Sequence, residues 1–234
     1  MTTHTRPASH PTTQHAADRG VRIAGMAGMT SVAAMAASFV VLPADPGGTS
    51  AAAIAGRYAD GSAAYLTATL LETVSIGLLC LFVAGVCAAL WARRPASVLP
   101  VAAAIGGTML ATCQLVGYAV IASLAHGTAA AGDLPVIMAV YDLSSVFFVV
   151  ANVGLAILGG STGVVLLTGT PRARTLGWSS LVMAAAGIAG AAAHARDGLA
   201  SLHGDLGFLV LLTQLAWTAA ASVWLLRPAA SGSA

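Results

Sequence analysis

Residues 63–125 read AAYLTATLLETVSIGLLCLFVAGVCAALWARRPASVLPVAAAIGGTMLATCQLVGYAVIASLA. Two apolar runs, residues 63–92 and 98–125, flank a turn that carries Arg93, Arg94 and Pro95. A hydrocarbon core about 30 Å thick needs about 20 helical residues at about 1.5 Å each. Both runs are long enough to cross, so the stretch reads as a transmembrane helical hairpin. Strands do not fit, because the runs are long, rich in Ala and Leu, and show no ten-residue alternation.

Four further runs outside this hairpin satisfy the same test: residues 21–42, 134–168, 176–193 and 206–226. The runs at 63–92 and 134–168 exceed one crossing, so tilt, protrusion or a kink at Gly159-Gly160 is expected. Composition agrees. The 234 residues are 58% hydrophobic and 8% charged, with mean hydropathy +0.86. A soluble domain carries about 25% charged residues. A soluble enzyme, a nucleic-acid binder and a disordered chain are excluded. The expectation is an all-α polytopic bundle with a six-helix domain at 21–228. A polar tail precedes it at 1–20, expected to be disordered and cytoplasmic, and a short cytoplasmic tail follows at 229–234. The first run is too long for a signal-peptide core and no A-x-A site follows it, so it counts as a retained span.

Arginine placement sets the orientation. Arg6, Arg19 and Arg22 precede the first run; Arg93 and Arg94 follow the second; Arg172 and Arg174 follow the fourth; Arg227 follows the sixth. With six crossings these share one side, and only Arg57 and Arg196 face the other. The positive-inside rule then puts both termini in the cytoplasm. Trp91, Trp178 and Trp224 fall at the same boundary, and Tyr58, Tyr65 and Tyr141 near the opposite one, as aromatic belts would.

The polar residues sort by depth. Glu72 lies 19 residues before Trp91, about 28 Å by helical rise, at the outer edge of the hydrocarbon. Asp142, His126 and Asp133 map to the same outer end. So do His194, Asp197, His203 and Asp205 around the last outer loop. This collection is a candidate outward site for a cation, a proton or a metal. No motif requires a cofactor; among metals, zinc suits such donors, with His126, His194 and His203 as candidate ligands. The competing reading is solvation and helix capping at outer ends, and His203-Gly204-Asp205 suits a cap. Glu72 is the leading single residue, because an ionisable group within a span is a functional candidate; Arg57 or Arg196 are its candidate partners. Deeper in the bilayer Gln114, Asn152 and Gln214 are neutral candidates for interhelical bonding or a polar path. Cys80, Cys87 and Cys113 lie in apolar runs and read as small buried hydrophobes. On the fifth run, Ala185, Ala189 and Ala193 recur every four residues, as do Ala186 with Gly190 and Gly187 with Ala191, the spacing of close helix packing.

The second half also resembles a family. Pro171, Leu176-Gly177-Trp178, Leu206-Gly207-Phe208, Trp217 and Trp224, with the WARR turn, resemble uncharacterised six-span membrane proteins of actinobacteria grouped as domains of unknown function. The resemblance lies over residues 141–228 and, counting the WARR turn, covers roughly two thirds of the chain. It implies a bacterial inner-membrane setting and no assigned activity, and it carries over no catalytic residue. The expected function is a non-enzymatic binding, sensing or scaffold protein of the envelope, with the lipid bilayer and a homodimer mate or envelope protein as partners. A small permease and an outward metal-dependent hydrolase are the alternatives. Nucleic acid is not expected as a partner.

Overall fold

The computed structural model describes residues 11–42, 50–192 and 205–227. They form α1 (Pro11–Val41), α2 (Ala51–Asp60), α3 (Ser62–Arg93), α4 (Leu99–Ser123), α5 (Leu134–Leu167), α6 (Pro171–Ala191) and α7 (Asp205–Leu226). A π-helical turn, Leu124–Thr128, continues α4. Among the described residues, five helical segments are long and apolar enough to cross a membrane: Arg19–Val41 within α1, α3, α4 with its π turn, α5, and Leu206–Leu226 of α7. The chain is therefore an all-α, multi-pass membrane protein. α6 falls short of that test; its first turn carries Arg172 and Arg174, and small residues dominate the rest.

The helices close into a ring. α1 packs on α3, α3 on α4, α4 on α5, α5 on α6, α6 on α7, and α7 back on α1. Successive helices are antiparallel. Ala24 meets Gly85 and Ser38 meets Glu72 between α1 and α3, and Gly106 meets Leu158 and Gly117 meets Phe148 between α4 and α5. Gly177 meets Leu167 and Gly187 meets Ala156 between α5 and α6, and Ser180 meets Trp217 and Gly190 meets Val210 between α6 and α7. α3 and α4 fold back across the short turn at 94–98, and α7 therefore runs opposite to α1. Antiparallel contacts all the way round require an even number of members, and α6 supplies the sixth.

Small residues let the backbones meet. A Cβ built on Gly106 would stand 2.7 Å from the Leu158 amide nitrogen, and one on Gly187 2.7 Å from that of Ala156. In lipid, such approach replaces hydrophobic exclusion as the packing drive. Short polar links add to it. Ser75 Oγ donates to the Ser31 carbonyl at 2.8 Å, joining α3 to α1. Arg94 donates to Thr168 Oγ1 at 2.9 Å, joining the two arginine turns. The Arg93 guanidinium lies 4.6 Å from the Trp224 ring centre, a cation–π contact at the same end.

α5 is one continuous helix through Gly159-Gly160, and Gly159 is a close packing point, where a Cβ would meet the Ser180 carbonyl at 2.7 Å. Two expectations change in detail. On α6 the packed face is Gly177, Ser180, Ala184 and Gly187, while Ala185 and Ala189 are exposed. Of the cysteines, Cys80 is exposed and Cys87 and Cys113 are half-buried.

The short helix α2 caps one end of the ring, opposite the arginine turns. Ser50 accepts from the Ala53 amide at its N-terminus. Ile54 and Tyr58, one turn apart, pack against Leu124, Ala125, Ala129 and Ile137. Gly132, at φ 76°, reverses the chain there in a left-handed conformation that suits glycine.

Candidate functional site

A cavity of about 330 Å³ occupies the α2 half of the ring. α3 contributes Tyr65, Ala68, Thr69 and Glu72; α4 contributes Gln114, Tyr118 and Ile121. Phe148 and Asn152 come from α5, and Phe208, Leu211 and Gln214 from α7. Phe39 and Leu42 at the end of α1, with Tyr58 of α2, border it at the capped end. The sequence dictates this convergence through depth. Gln114 is 15 residues beyond Leu99, and Asn152 is 15 before Leu167, so both stand about 22 Å from the arginine turns by helical rise. Gln214, 12 residues before Leu226, stands at about 18 Å.

The polar groups are nearly closed off. Glu72, Gln114, Asn152 and Gln214 are 5%, 6%, 7% and 6% exposed. Ser38 Oγ donates to Glu72 Oε1 at 3.2 Å and also to the Met35 carbonyl at 2.8 Å. Gln114 Nε2 donates to Gln214 Oε1 at 3.3 Å, which ties α4 to α7 across the ring. The Gln114 Oε1 atom is buried with no hydrogen-bond partner among the described residues. Asn152 lies under α6, where a Cβ on Gly190 would come within 2.6 Å of its Nδ2.

Aromatic rings make up much of the remaining wall. Tyr58 and Tyr65 meet at a 46° tilt with ring centres 4.5 Å apart, and Tyr118 meets Phe148 edge-on at 5.0 Å. Tyr58 lies outside the candidate spans; burial first, then the neighbouring Tyr141 and Tyr65, push its hydroxyl above the ordinary 10.0. It stays a neutral hydrogen-bonding phenol at physiological pH.

Below Gln114, Asn152 and Gln214 the ring is filled. Phe82, Leu110, Leu155, Leu158 and Met183 are 0–1% exposed, and Trp217 is 3% exposed. Trp217 stands edge-on to Phe82, with centres 5.7 Å apart, and its Nε1 donates to Ser180 Oγ at 2.8 Å. No lining residue comes from beneath this layer. The cavity is blind on the arginine side.

The structure thus unites Glu72 with Gln114, Asn152 and Gln214, which the sequence separates into an outer set and a deep set. The other outer residues lie elsewhere. His126 is exposed in the π turn, and Asp133 is exposed and caps α5 by accepting from the Val136 amide at 3.3 Å. Asp142 is half-buried on α5 and does not line the cavity. His194, Asp197 and His203 lie outside the described residues, as does the side chain of Asp205. Among the described residues no three His, Cys, Asp or Glu side chains gather to hold a metal. Of the candidate partners for Glu72, Arg57 acts on Tyr58 and not on Glu72, and Arg196 lies outside the described residues.

Sequence reasoning alone passes over Tyr118 and Phe148. Tyr118 sits one helical turn beyond Gln114 on the same face, and that i, i+4 spacing is the available signal. Tyr58 and Tyr65, read as a membrane-interface belt, line the cavity instead. Comparisons of the chain with protein-family models, with curated proteins and with solved structures return no match.

Proposed function

We propose that this chain is a six-crossing, non-enzymatic binding protein of the bacterial cytoplasmic membrane, with both termini inside and a ligand cavity facing outward. The bacterial setting is what the resemblance of its second half implies. Six crossings are supported by direction: α5 and α7 run the same way, so the chain between them must return, and α6 at 21 residues spans about 32 Å. Orientation is supported by the arginine turns, Arg93 and Arg94 with Arg172 and Arg174, which lie at the end opposite the cavity, while Arg57 lies at the cavity end. A cysteine placed at Ser97 or at Thr128, in a background with Cys80, Cys87 and Cys113 changed to Ala, tests it. A membrane-impermeant maleimide should label the Thr128 variant in intact cells and spare the Ser97 variant. Labelling of both, or of Ser97 alone, would sink this topology.

One observation carries the binding role: four buried polar side chains from four helices converge on a cavity closed at its inner end. Buried polar groups in lipid are costly unless partnered, and a blind apolar cavity with a few convergent polar groups is the ordinary form of a ligand site. Ala68, 1% exposed and in the wall, gives the test. Wild-type protein in nanodiscs should show saturable binding of butylbenzene above the uptake of empty nanodiscs. Ala68→Trp, which fills the cavity, should lose it. Equal binding by both proteins would place the probe elsewhere and remove the case for this site. A permease would in addition move its ligand across sealed liposomes, whereas a packed layer of Phe82 and Trp217 predicts binding without flux. No observation favours the metal-dependent hydrolase.

A further inference from the structure

The cavity holds one carboxylic side chain, Glu72, among neutral polar and aromatic groups. Glu72 presents a carboxyl group that accepts a hydrogen bond from Ser38, and among the described residues no cation pairs with it. Gln114 Oε1, in the same wall, is buried without a partner. A carboxyl group inside a span is costly when ionised and unpaired, and a cationic partner is one of the ways to offset that cost. The rings of Tyr58, Tyr65, Tyr118 and Phe148 line the same cavity, and aromatic rings attract cations. Thr69, Asn152 and Gln214 are polar members of the wall, and the remainder is apolar. From this arrangement we propose that the cavity takes an organic cation: an ammonium group held by Glu72 and Gln114, on an aromatic or alkyl body seated among the rings. The proposal rests on the reading of this cavity as a ligand site and names the ligand's chemical class.

Each part of such a ligand meets a stated need. The charge neutralises Glu72. The N–H bonds satisfy the spare acceptors. Swapping both amides end for end would keep the Gln114–Gln214 bond and turn the spare acceptor into a spare donor, so the charge preference is assigned to Glu72. The body has room. A dry cavity of about 150 Å³ holds benzene, and this one measures about 330 Å³. An anion of the same shape would meet Glu72 with like charge.

Three probes of one shape decide it: 3-phenylpropylammonium, the isosteric neutral butylbenzene, and 4-phenylbutyrate. Saturable binding is measured to the full chain in nanodiscs of zwitterionic lipid, with empty nanodiscs subtracted. The cation should bind the wild type about tenfold or more tightly than butylbenzene, the worth of one charge-assisted hydrogen bond. The anion should not bind. Glu72→Gln should remove the cation's preference over butylbenzene, with an unfolding midpoint in micelles near that of wild type showing the bundle intact. Gln114→Met should weaken the cation selectively without altering the charge of the site, and serves if Glu72→Gln does not fold. Equal binding of cation and butylbenzene to the wild type, or a cation preference that survives Glu72→Gln, would overturn the cation assignment and leave the cavity reading standing. Failure of all three probes to bind would overturn both.

Discussion

Trp217→Ala should destabilise the bundle by about 3 kcal/mol, among the largest losses available to a single side chain here. Truncating a buried aromatic to Ala costs about 3–5 kcal/mol in soluble cores. The lower end applies in a membrane, because lipid solvates the freed side chain about as well as the core does. The cost is therefore one of forfeited packing. Trp217 is 3% exposed, stands edge-on to Phe82 of α3, and donates to Ser180 of α6 at 2.8 Å. One side chain of α7 thus holds two other members of the ring. Ser180 would keep its own bond to the Leu176 carbonyl at 2.7 Å, so no buried hydroxyl is orphaned by the truncation. Trp217→Phe should recover most of the stability, forfeiting the N–H bond and part of the volume, about 1 kcal/mol. Reversible unfolding in mixed micelles of increasing sodium dodecyl sulfate would measure both. A Trp217→Ala effect below about 1 kcal/mol would show that the inner layer is not packed as described.

The same substitution probes the blind end. Gln214 lies three residues before Trp217, so the new void opens directly beneath the deepest polar residue of the cavity. If the Phe82–Trp217 layer is what closes the cavity, the Ala variant should pass a small probe across liposomes that the wild type and Trp217→Phe retain.

How much of this is legible in the sequence depends on the kind of interaction. Spans are a matter of length and hydropathy, so residues 63–92 and 98–125 correspond closely to α3 and α4. Depth follows from helical rise, so Glu72, Gln114, Asn152 and Gln214 can each be placed along the membrane normal. Their azimuth cannot. The apolar and polar positions of α3, α4 and α5 give no strong one-sided pattern, because lipid and core are both apolar and the helix surface need not distinguish them. Which face turns inward is decided by small residues such as Gly106, Gly107 and Gly154, and by ring order, in which α1 sits between α3 and α7. That order seats Ser38 beside Glu72, a pairing 34 residues apart with no local signature. α2 escapes the sequence reading for a different reason. Ten residues cannot cross a bilayer, so a search for spans passes over them, although Ser50 followed by Ile54 and Tyr58 carries a cap and a one-turn apolar repeat.

Gly154→Leu should be at least as damaging as Trp217→Ala, and for a geometric reason that a flexible side chain cannot relieve. A Cβ at Gly154 would stand 2.6 Å from the Gly106 carbonyl oxygen and 2.6 Å from the Leu110 amide nitrogen. Both are backbone atoms of α4. No rotamer change removes the clash, so the two helices must part, giving up the closest crossing in this wall of the ring. Overpacking in soluble cores costs about 1–3 kcal/mol, and here the close backbone crossing is itself what substitutes for the hydrophobic effect. The expected outcome is a destabilisation of about 3 kcal/mol or failure to assemble. Gly154→Ala should already cost much of this, since the first carbon makes the clash. Gly77→Leu is the matched control: that glycine is exposed on α3, and an added Cβ meets nothing within 4 Å. It should leave the micelle unfolding midpoint close to wild type. Function should follow the same split. Asn152 lies two residues before Gly154 on α5, and Gln114 eight residues after Gly106 on α4, so parting the helices pulls these cavity residues from each other. Butylbenzene binding should therefore vanish with Gly154→Leu and persist with Gly77→Leu. Two glycine variants of equal stability would mean that α4 and α5 do not touch where their backbones are placed, and the cavity between them would lose its wall.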